Sequence, residues 1–322
     1  MDTHARHIDK VISGKKAAHK DVFESLFHTI GNSPMVELGK VNRTKSSILA
    51  KLEFMNHSGS IKDRMVIHMI ERAEERGDIK PGDGIVEATS GNTGIAFAMA
   101  CAARGYKFTA VMPDCMTGER VKMMEAYGAK VVLTPARLDM MGALKRAMQI
   151  SAKTGAWHPN QFTNTDNTEV HKLTTGMEIV SQTHGKVDAF VAGVGTGGTL
   201  MGVAQAFREK GVIAKIIGVE PAESAVMQGK KPHRHNIQGI GEGFVPRLVD
   251  VKSIDTIISI SSRDAEMMAD RLAKEEGLLC GISSGANVLA SLNVAKDMGA
   301  GKRIVTVLPD RGERYLSTGI FK

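Results

Sequence analysis

Strand-like and helix-like apolar patterns alternate along almost the whole of this chain, and that alternation constrains its fold more than any other feature. SILAKLEF, IVEAT, FTAVMP, KVVLTP, DAFVAGV, IIGVEP, IISIS and IVTVLP read as short strands, several of them buried on both faces. Between them KDRMVIHMIERAEERG, GNTGIAFAMACAARG, GERVKMMEAYG, MMGALKRAMQISAKTG and RDAEMMADRLAKEEG carry helical spacing, and many close on the glycine that a helix C-cap favours. Such alternation means βαβ units and a mostly parallel sheet, so the class is α/β. Ligands of open α/β sheets bind at the carboxyl ends of the strands. Candidate sites are therefore the places where strands run into glycine-rich turns. The loop-like stretch HPNQFTNTDNTEVHK, residues 158–172, is the candidate crossing point between domains.

A length of 322 residues suits one large or two medium domains, and an apolar share of 42% is enough to fill their cores. With 10 Phe, 3 Tyr and 1 Trp the chain has few platforms for base stacking, which argues against nucleic acid. Cys101, Cys115 and Cys280 are scattered and form no C-x-x-C pair, so neither a disulfide framework nor a zinc site is indicated and a reducing cytoplasm is expected. No apolar run approaches the roughly 18 residues of a membrane span, and MDTHARHIDK lacks the apolar stretch of a secretion signal. A net charge of +7 favours anionic ligands, yet the polar arm Met1–Lys20 accounts for part of it. There Arg6, Lys10, Lys15, Lys16 and Lys20 stand against Asp2 and Asp9, and His4, His7 and His19 read as surface residues.

Four turns carry chemistry. Gly193-Val194-Gly195-Thr196-Gly197-Gly198-Thr199 follows the strand DAFVAGV and opens the helical LMGVAQAFREKG, presenting bare backbone N–H groups to an anion. It also satisfies G-x-G-x-x-G, with Glu220 where a dinucleotide fold places its ribose-binding acid, so a nicotinamide-dependent oxidoreductase is a competing reading. The hydroxyls of Thr196 and Thr199 suit a compact phosphate monoester. Gly281-Ile282-Ser283-Ser284-Gly285 fits a nucleophile elbow, but a hydrolase of that order needs a later histidine and the last one is His235. Ser283 and Ser284 are left as helix N-caps or as hydroxyl ligands. Glu87-Ala88-Thr89-Ser90-Gly91-Asn92-Thr93-Gly94 is either a capped βα turn or a second cradle suited to a carboxylate. In Ser58-Gly59-Ser60-Ile61-Lys62-Asp63-Arg64, Lys62 stands at a helix start, where the positive dipole end makes its ammonium release a proton more easily. Unless it is simply a solvated surface lysine, that is the behaviour Schiff-base chemistry wants.

Together an activated lysine, a phosphate cradle and a carboxylate cradle are the parts of a pyridoxal-phosphate enzyme acting on an amino acid. From about residue 23 onward the chain resembles the cysteine synthase (O-acetylserine sulfhydrylase) and cystathionine β-synthase family of pyridoxal-phosphate enzymes. The resemblance is carried in order by IGNSPMVEL, SGSIKDRM, EATSGNTG, MPDCMTGER, NQFTN, GVGTGGT, IQGIGEGF, GISSGA and PDRGERYLST.

The resemblance implies the tryptophan-synthase-β-like fold, two three-layer αβα domains with mostly parallel sheets. Beyond the arm 1–20, residues 56–164 would form a smaller, mobile substrate-binding domain, and residues 21–55 with 165–322 a larger cofactor-binding one. It implies that Lys62 holds pyridoxal 5'-phosphate as an internal aldimine and that Gly195, Thr196, Gly197, Gly198 and Thr199 bind its phosphate. Asn92 would bond the ring's 3′ oxygen and Ser283 would sit at the pyridine nitrogen. Because a serine cannot keep that nitrogen protonated as a carboxylate would, loss of a β-substituent is favoured over transamination. Thr89, Ser90, Asn92, Thr93 and Gln161 would bind the substrate carboxylate. The implied reaction is a ping-pong β-replacement making cysteine from O-acetylserine and sulfide through an aminoacrylate, with Lys62 as the base. An alternative uses cysteine or serine with a thiol amino acid, forming cystathionine or lanthionine or releasing sulfide. A homodimer is implied, without a regulatory domain beyond Lys322 and without a heme-binding Cys/His arm. Glu242 departs from the small or apolar residue expected in IQGIGxGF. It is either a solvent-facing loop acid or the acceptor for the ammonium of a second amino acid.

Overall fold

The computed structural model describes Phe23 and residues 25–321; the arm 1–20, with its three histidines, lies outside the described residues. The chain runs through β1 (Met35–Glu37), β2 (Ser47–Lys51), α1 (Lys62–Arg76), β3 (Gly84–Ala88), α2 (Asn92–Arg104), β4 (Lys107–Pro113), α3 (Gly118–Ala126), β5 (Lys130–Thr134) and α4 (Asp139–Thr154). It continues through α5 (Asp166–Val170), α6 (Met177–Thr183), β6 (Ala189–Gly193), α7 (Gly198–Glu209), β7 (Lys215–Pro221), β8 (Thr256–Ile260), α8 (Ser262–Arg271), α9 (Ile282–Met298) and β9 (Arg303–Val307).

Two sheets result. One has six strands in the order β1-β2-β9-β6-β7-β8, the other three in the order β3-β4-β5. Among the described residues only the β1–β2 pair is antiparallel, and every other strand pair is parallel. Each sheet is covered on both faces, which is why its strands read as continuous apolar runs. Along β6, Ala189 and Val191 point into a core shared with α8 and α9, while Phe190 and Ala192 point into one shared with α6 and α7. In the smaller sheet Ile85, Phe108 and Ala110 meet α1 and α2, whereas Val86, Ala88 and Val111 meet α4. The period of two along each strand thus assigns side chains to opposite layers.

Two expectations about local structure change. Residues 158–172 are not one loop: from Asp166 the chain is helical, running through a π segment (His171–Gly176) into α6. Its polar residues Asp166, Asn167, Thr168, His171 and Thr175 are buried, so a stretch that reads as solvated faces the interior. The helix expected over 263–277 changes form within its length, from α8 to a π turn (Leu272–Glu276) closed by Gly277 in the left-handed conformation.

Four buried charges tie α1 to the larger sheet. Arg64 forms ion pairs with Glu53 at 2.8 Å and Glu178 at 2.6 Å, and Lys51 at the end of β2 reaches Glu178 at 2.8 Å. Ser33 and Asn56 donate further bonds to Glu53. Burial alone would raise the Glu53 carboxyl, but Arg64 and then Lys51 outweigh it and bring the group down to about 2 from an ordinary 4.5.

A depressed carboxyl contributes stability that is complete above its unfolded pKa and is lost as pH falls toward the folded one. For Glu53 that window runs from 4.5 down to about 2. Glu53→Gln is expected to flatten the acid limb of a plot of urea midpoint against pH across this window, and an unchanged limb would contradict the assignment. Arg64→Met leaves two buried carboxylates short of their partner and is expected to cost about 3–5 kcal/mol in urea unfolding.

Candidate active site

Four helix N-termini open onto one cleft, those of α1, α2, α7 and α9. Two of them, α2 and α7, follow directly from the carboxyl ends of β3 and β6, where an open α/β sheet places its ligands. The cleft is lined by Lys62, Ser90, Asn92, Thr93, Gln161, Gly195, Thr196, Gly197, Thr199, Glu242 and Ser283. The fold therefore brings together nearly all the residues singled out in the sequence. Thr89 and Gly198 are not among the lining residues; each stands behind the loop to which it belongs.

Lys62 is the first residue of α1. The turn before it is held by Asp63, which accepts from the Ser58 backbone N–H at 2.6 Å and from the Ser58 hydroxyl. Burial lifts Asp63 to about 6, against the pull of those bonds and of Arg314. The Lys62 amine is pushed below the ordinary lysine range first by burial, with Glu242 and Asp310 opposing the shift. The sequence pointed to the helix dipole as the cause; in the folded chain burial is the leading one.

The phosphate-type cradle works because its glycines allow atoms closer than any side chain would. A Cβ on Gly195 would lie 2.3 Å from the Gly239 carbonyl oxygen, and one on Gly198 2.0 Å from Asn167 Oδ1, while Gly197 has φ +85°. Thr196 Oγ1 accepts from Asn167 Nδ2 at 2.9 Å and from the Gly198 N–H at 3.3 Å. Thr199 Oγ1 meets His171 Nε2 at 3.2 Å, and the other ring nitrogen meets Thr175 Oγ1 at 2.9 Å. Burial, then Arg64, lowers the His171 pKa to about 3, so this histidine supports the loop as a neutral ring. Asn287 accepts from the Gly193 N–H at 2.8 Å and donates to the Val307 carbonyl, joining the cradle to α9 and β9.

The second cradle is organised from within. Thr89 Oγ1 accepts from the Gly91 N–H at 2.8 Å and the Gly94 N–H at 3.1 Å, so its hydroxyl shapes the loop. Thr93 donates to Gln161 Oε1 at 2.7 Å, and Gln161 Nε2 donates to the Ala88 carbonyl at 2.8 Å, which sets the amide's orientation. Asn92 Nδ2 donates to Asp310 Oδ2 at 2.8 Å while its Oδ1 accepts from Arg314. Tyr315 also donates to Asp310 Oδ2, at 2.7 Å, and buried Arg120 lies 4.7 Å above the Tyr315 ring. A Cβ on Gly91 would fall 2.0 Å from Arg120 Cδ, so that arginine is the floor under the loop.

Ser283 lies in the first turn of α9 and faces the cleft, whereas Ser284 is fully buried beside Cys280. Neither is an N-cap: that position is Gly281, and no side chain caps the helix. Glu220 does not serve a dinucleotide. It is buried at the end of β7 and accepts from the Met227 N–H at 2.8 Å. The supporting residues Asn167, His171, Asn287, Asp310, Arg314 and Arg120 escape sequence reading. Arg120 lies inside the segment MPDCMTGER, and Asp310 and Arg314 inside PDRGERYLST, segments that the family resemblance made conspicuous without giving these residues a role.

A buried, easily deprotonated lysine facing a glycine cradle on a helix N-terminus defines a site for a phosphate-bearing carbonyl cofactor. The chain belongs to the family of pyridoxal-phosphate dependent enzymes, whose model matches residues 26–310. It is 47% identical to the cysteine synthase of Staphylococcus aureus (strain N315), over 92% of this chain and 97% of that one. Among solved structures it superposes on a cysteine synthase from Entamoeba histolytica with a TM-score of 0.89 and 42% identity, covering 95% of this chain and 92% of the other. A hydrogen sulfide-producing enzyme from Fusobacterium nucleatum gives 0.88 and 40%, covering 91% and 100%. The fold is that of these enzymes, the cofactor is pyridoxal phosphate, and the nicotinamide reading falls.

Gly195→Ala puts a methyl group into the Gly239 carbonyl, an overlap costing about 1–3 kcal/mol wherever the loop must yield. Pyridoxal-phosphate titration of the cofactor-free protein is expected to show affinity weaker by about 5- to 150-fold, since tenfold corresponds to about 1.4 kcal/mol. Unchanged affinity would show that the loop's close approach is not needed to hold the phosphate.

Proposed function

We propose that this enzyme carries out β-replacement on an O-acylated serine, making cysteine from O-acetylserine and sulfide. The observation that carries the reading is Lys62, placed at the start of α1 between the glycine cradle and the hydroxyl-rich loop, with burial disfavouring its charge. When bound, pyridoxal phosphate supplies an aldehyde that joins an amine and a ring that draws electrons from the substrate's α-carbon. The Gly195–Thr199 loop and the first turn of α7 hold the phosphate through backbone N–H groups and hydroxyls. Asn92 keeps a second Nδ2 hydrogen, beyond the one given to Asp310, for the ring's 3′ oxygen. Ser283 lies in the wall as the neutral partner of the pyridine nitrogen and directs the chemistry to the β-carbon.

The substrate carboxylate is received by Ser90, Gln161 and the N–H groups of Asn92 and Thr93, which the first turn of α2 cannot use itself. Thr89 and Thr93 hold those donors in position. Lys62 Nζ removes the α-proton, the β-carbon–oxygen bond breaks with its electron pair leaving on acetate, and sulfur supplies the pair for the new carbon–sulfur bond. Lys62 then returns the proton to the α-carbon. The replacement conserves charge and needs no oxidant.

In this reading residues 56–164 form the smaller, mobile domain that brings the substrate loop to the cofactor, and residues 21–55 with 165–322 the larger one. Their separate sheets support that division. The enzyme is further taken as a cytoplasmic homodimer. Free Cys101, Cys115 and Cys280 support a reducing compartment, and exposed Met55, Leu279 and Leu316 support a subunit contact. No described helix is long and apolar enough to cross a membrane.

Lys62→Ala removes both the attachment point and the base. Turnover of O-acetylserine with sulfide is expected to fall by at least about 10³-fold, within the range attributable to a positioned proton-transfer group. Absorbance of the lysine-bound cofactor should disappear with it. A variant that keeps full activity would overturn the assignment.

A further inference from the structure

The threonine hydroxyls of the phosphate cradle have a direction, and it is set behind the cleft. Thr196 and Thr199 both line that cleft. Thr196 Oγ1 already accepts from Asn167 Nδ2 and the Gly198 N–H, so its own hydrogen is left for an oxygen in front of the loop. Thr199 Oγ1 has one protein partner among the described residues, His171 Nε2 at 3.2 Å, and in that contact either atom can donate. If the ring accepts, the Thr199 hydrogen turns away from the phosphate. If the ring donates, the hydrogen stays with the cleft.

The bond on the far side of the ring decides between them. His171 Nδ1 lies 2.9 Å from Thr175 Oγ1, one turn further along the π segment. Thr175 is fully buried, and among the described residues its hydroxyl has no other partner. Its neighbour Thr174 gives its hydrogen to the Val170 carbonyl four residues back, whereas Thr175 makes no such bond. A neutral imidazole has one donor nitrogen and one acceptor nitrogen. With the proton on Nδ1, the Thr175 hydrogen would be buried without an acceptor, a desolvation cost that the other tautomer avoids. Thr175 therefore donates to Nδ1, and the ring carries its hydrogen on Nε2, facing Thr199.

Packing and charge hold the ring in this state. A Cβ on Gly202 of α7 would lie 2.6 Å from His171 Cβ and 2.5 Å from the Thr168 carbonyl oxygen, and one on Gly176 would lie 2.4 Å from Ala206 Cβ. The π segment thus lies directly against the helix whose first turn carries Thr199. Burial first, and Arg64 second, keep the ring uncharged, with Lys62 and His68 acting the same way and Glu53 against them. We propose that Thr175 and His171 are positioning residues for the cofactor, forming a one-way relay, Thr175 to His171 to Thr199, that fixes the Thr199 hydroxyl as a donor to the phosphate. The inference concerns how the cofactor is held and does not depend on which β-substituent is replaced.

Two measurements test it. In nitrogen NMR of holoenzyme carrying isotope-labelled histidine, the His171 ring is expected to be protonated at Nε2 and bare at Nδ1; a proton on Nδ1 would overturn the relay, and this reading needs no variant. The second uses Thr175→Val, which keeps the shape of the side chain and removes its hydroxyl. Affinity of the cofactor-free protein for pyridoxal phosphate is expected to fall about fivefold, the equivalent of one hydrogen bond. Thr175→Ser, which restores the donor, is expected to keep wild-type affinity, and affinity for pyridoxal, which lacks the phosphate, should be unchanged in both variants. Unchanged affinity in Thr175→Val, an equal loss in Thr175→Ser, or an equal loss for pyridoxal would overturn the proposal.

Discussion

The cleft depends on a balance of buried charge that lies just outside it. Arg64, two residues after Lys62 on the same helix, spends its guanidinium on Glu53 and Glu178, and Lys51 completes the neutral set. A buried ion assembly of this kind adds little net stability over a well-packed apolar core, but it tolerates the loss of no member. What it contributes here is position. It joins the end of β2, the start of α1 and α6, and so sets where the first turn of α1 presents Lys62. With two cations and two anions it also leaves Lys62 in surroundings where burial can disfavour the charge on its amine.

Around that lysine the anion sites are built without cations. Neither Gly195–Thr199 nor Thr89–Gly94 contains Lys or Arg, and both present backbone N–H groups at helix starts. The arginines stand one layer back: Arg314 on the Asn92 oxygen and Arg120 beneath Gly91 and over Tyr315. An arrangement of this sort fixes orientation by close approach, since a glycine whose Cβ would lie about 2 Å from a neighbouring atom defines a loop path more tightly than a flexible lysine can. The net charge of +7 seen in the sequence is therefore a poor guide to where anions bind.

Much of this was legible before the fold. Strands buried on both faces announce themselves as apolar runs, so eight of the nine described strands could be read from short segments, while the division into two sheets was implied only by the family resemblance and the antiparallel β1 was not read. Loops whose glycines and hydroxyls are adjacent in sequence were also visible, because a cradle on one turn is a local object. Helical residues 166–176 were not, because Asn167 and His171 are polar residues buried against the phosphate loop, and polarity reads as exposure when the partner is distant in sequence. Asp310 and Asn92 are 218 positions apart, and only the folded chain joins them. Ser283 and Ser284 could be read either as caps, because serine favours that position, or as hydroxyl ligands; Gly281 takes the cap position, which leaves Ser283 facing the cleft and Ser284 in the core.

The central claim is that the fold positions one particular amine, that of Lys62, to hold the cofactor. Borohydride reduction of the holoenzyme makes the bond between cofactor and lysine permanent, and peptide mass mapping then locates it. The account predicts a single pyridoxyl group on the peptide carrying Lys62. A label on another lysine, such as buried Lys51, or the absence of any label on reduced holoenzyme, would contradict it.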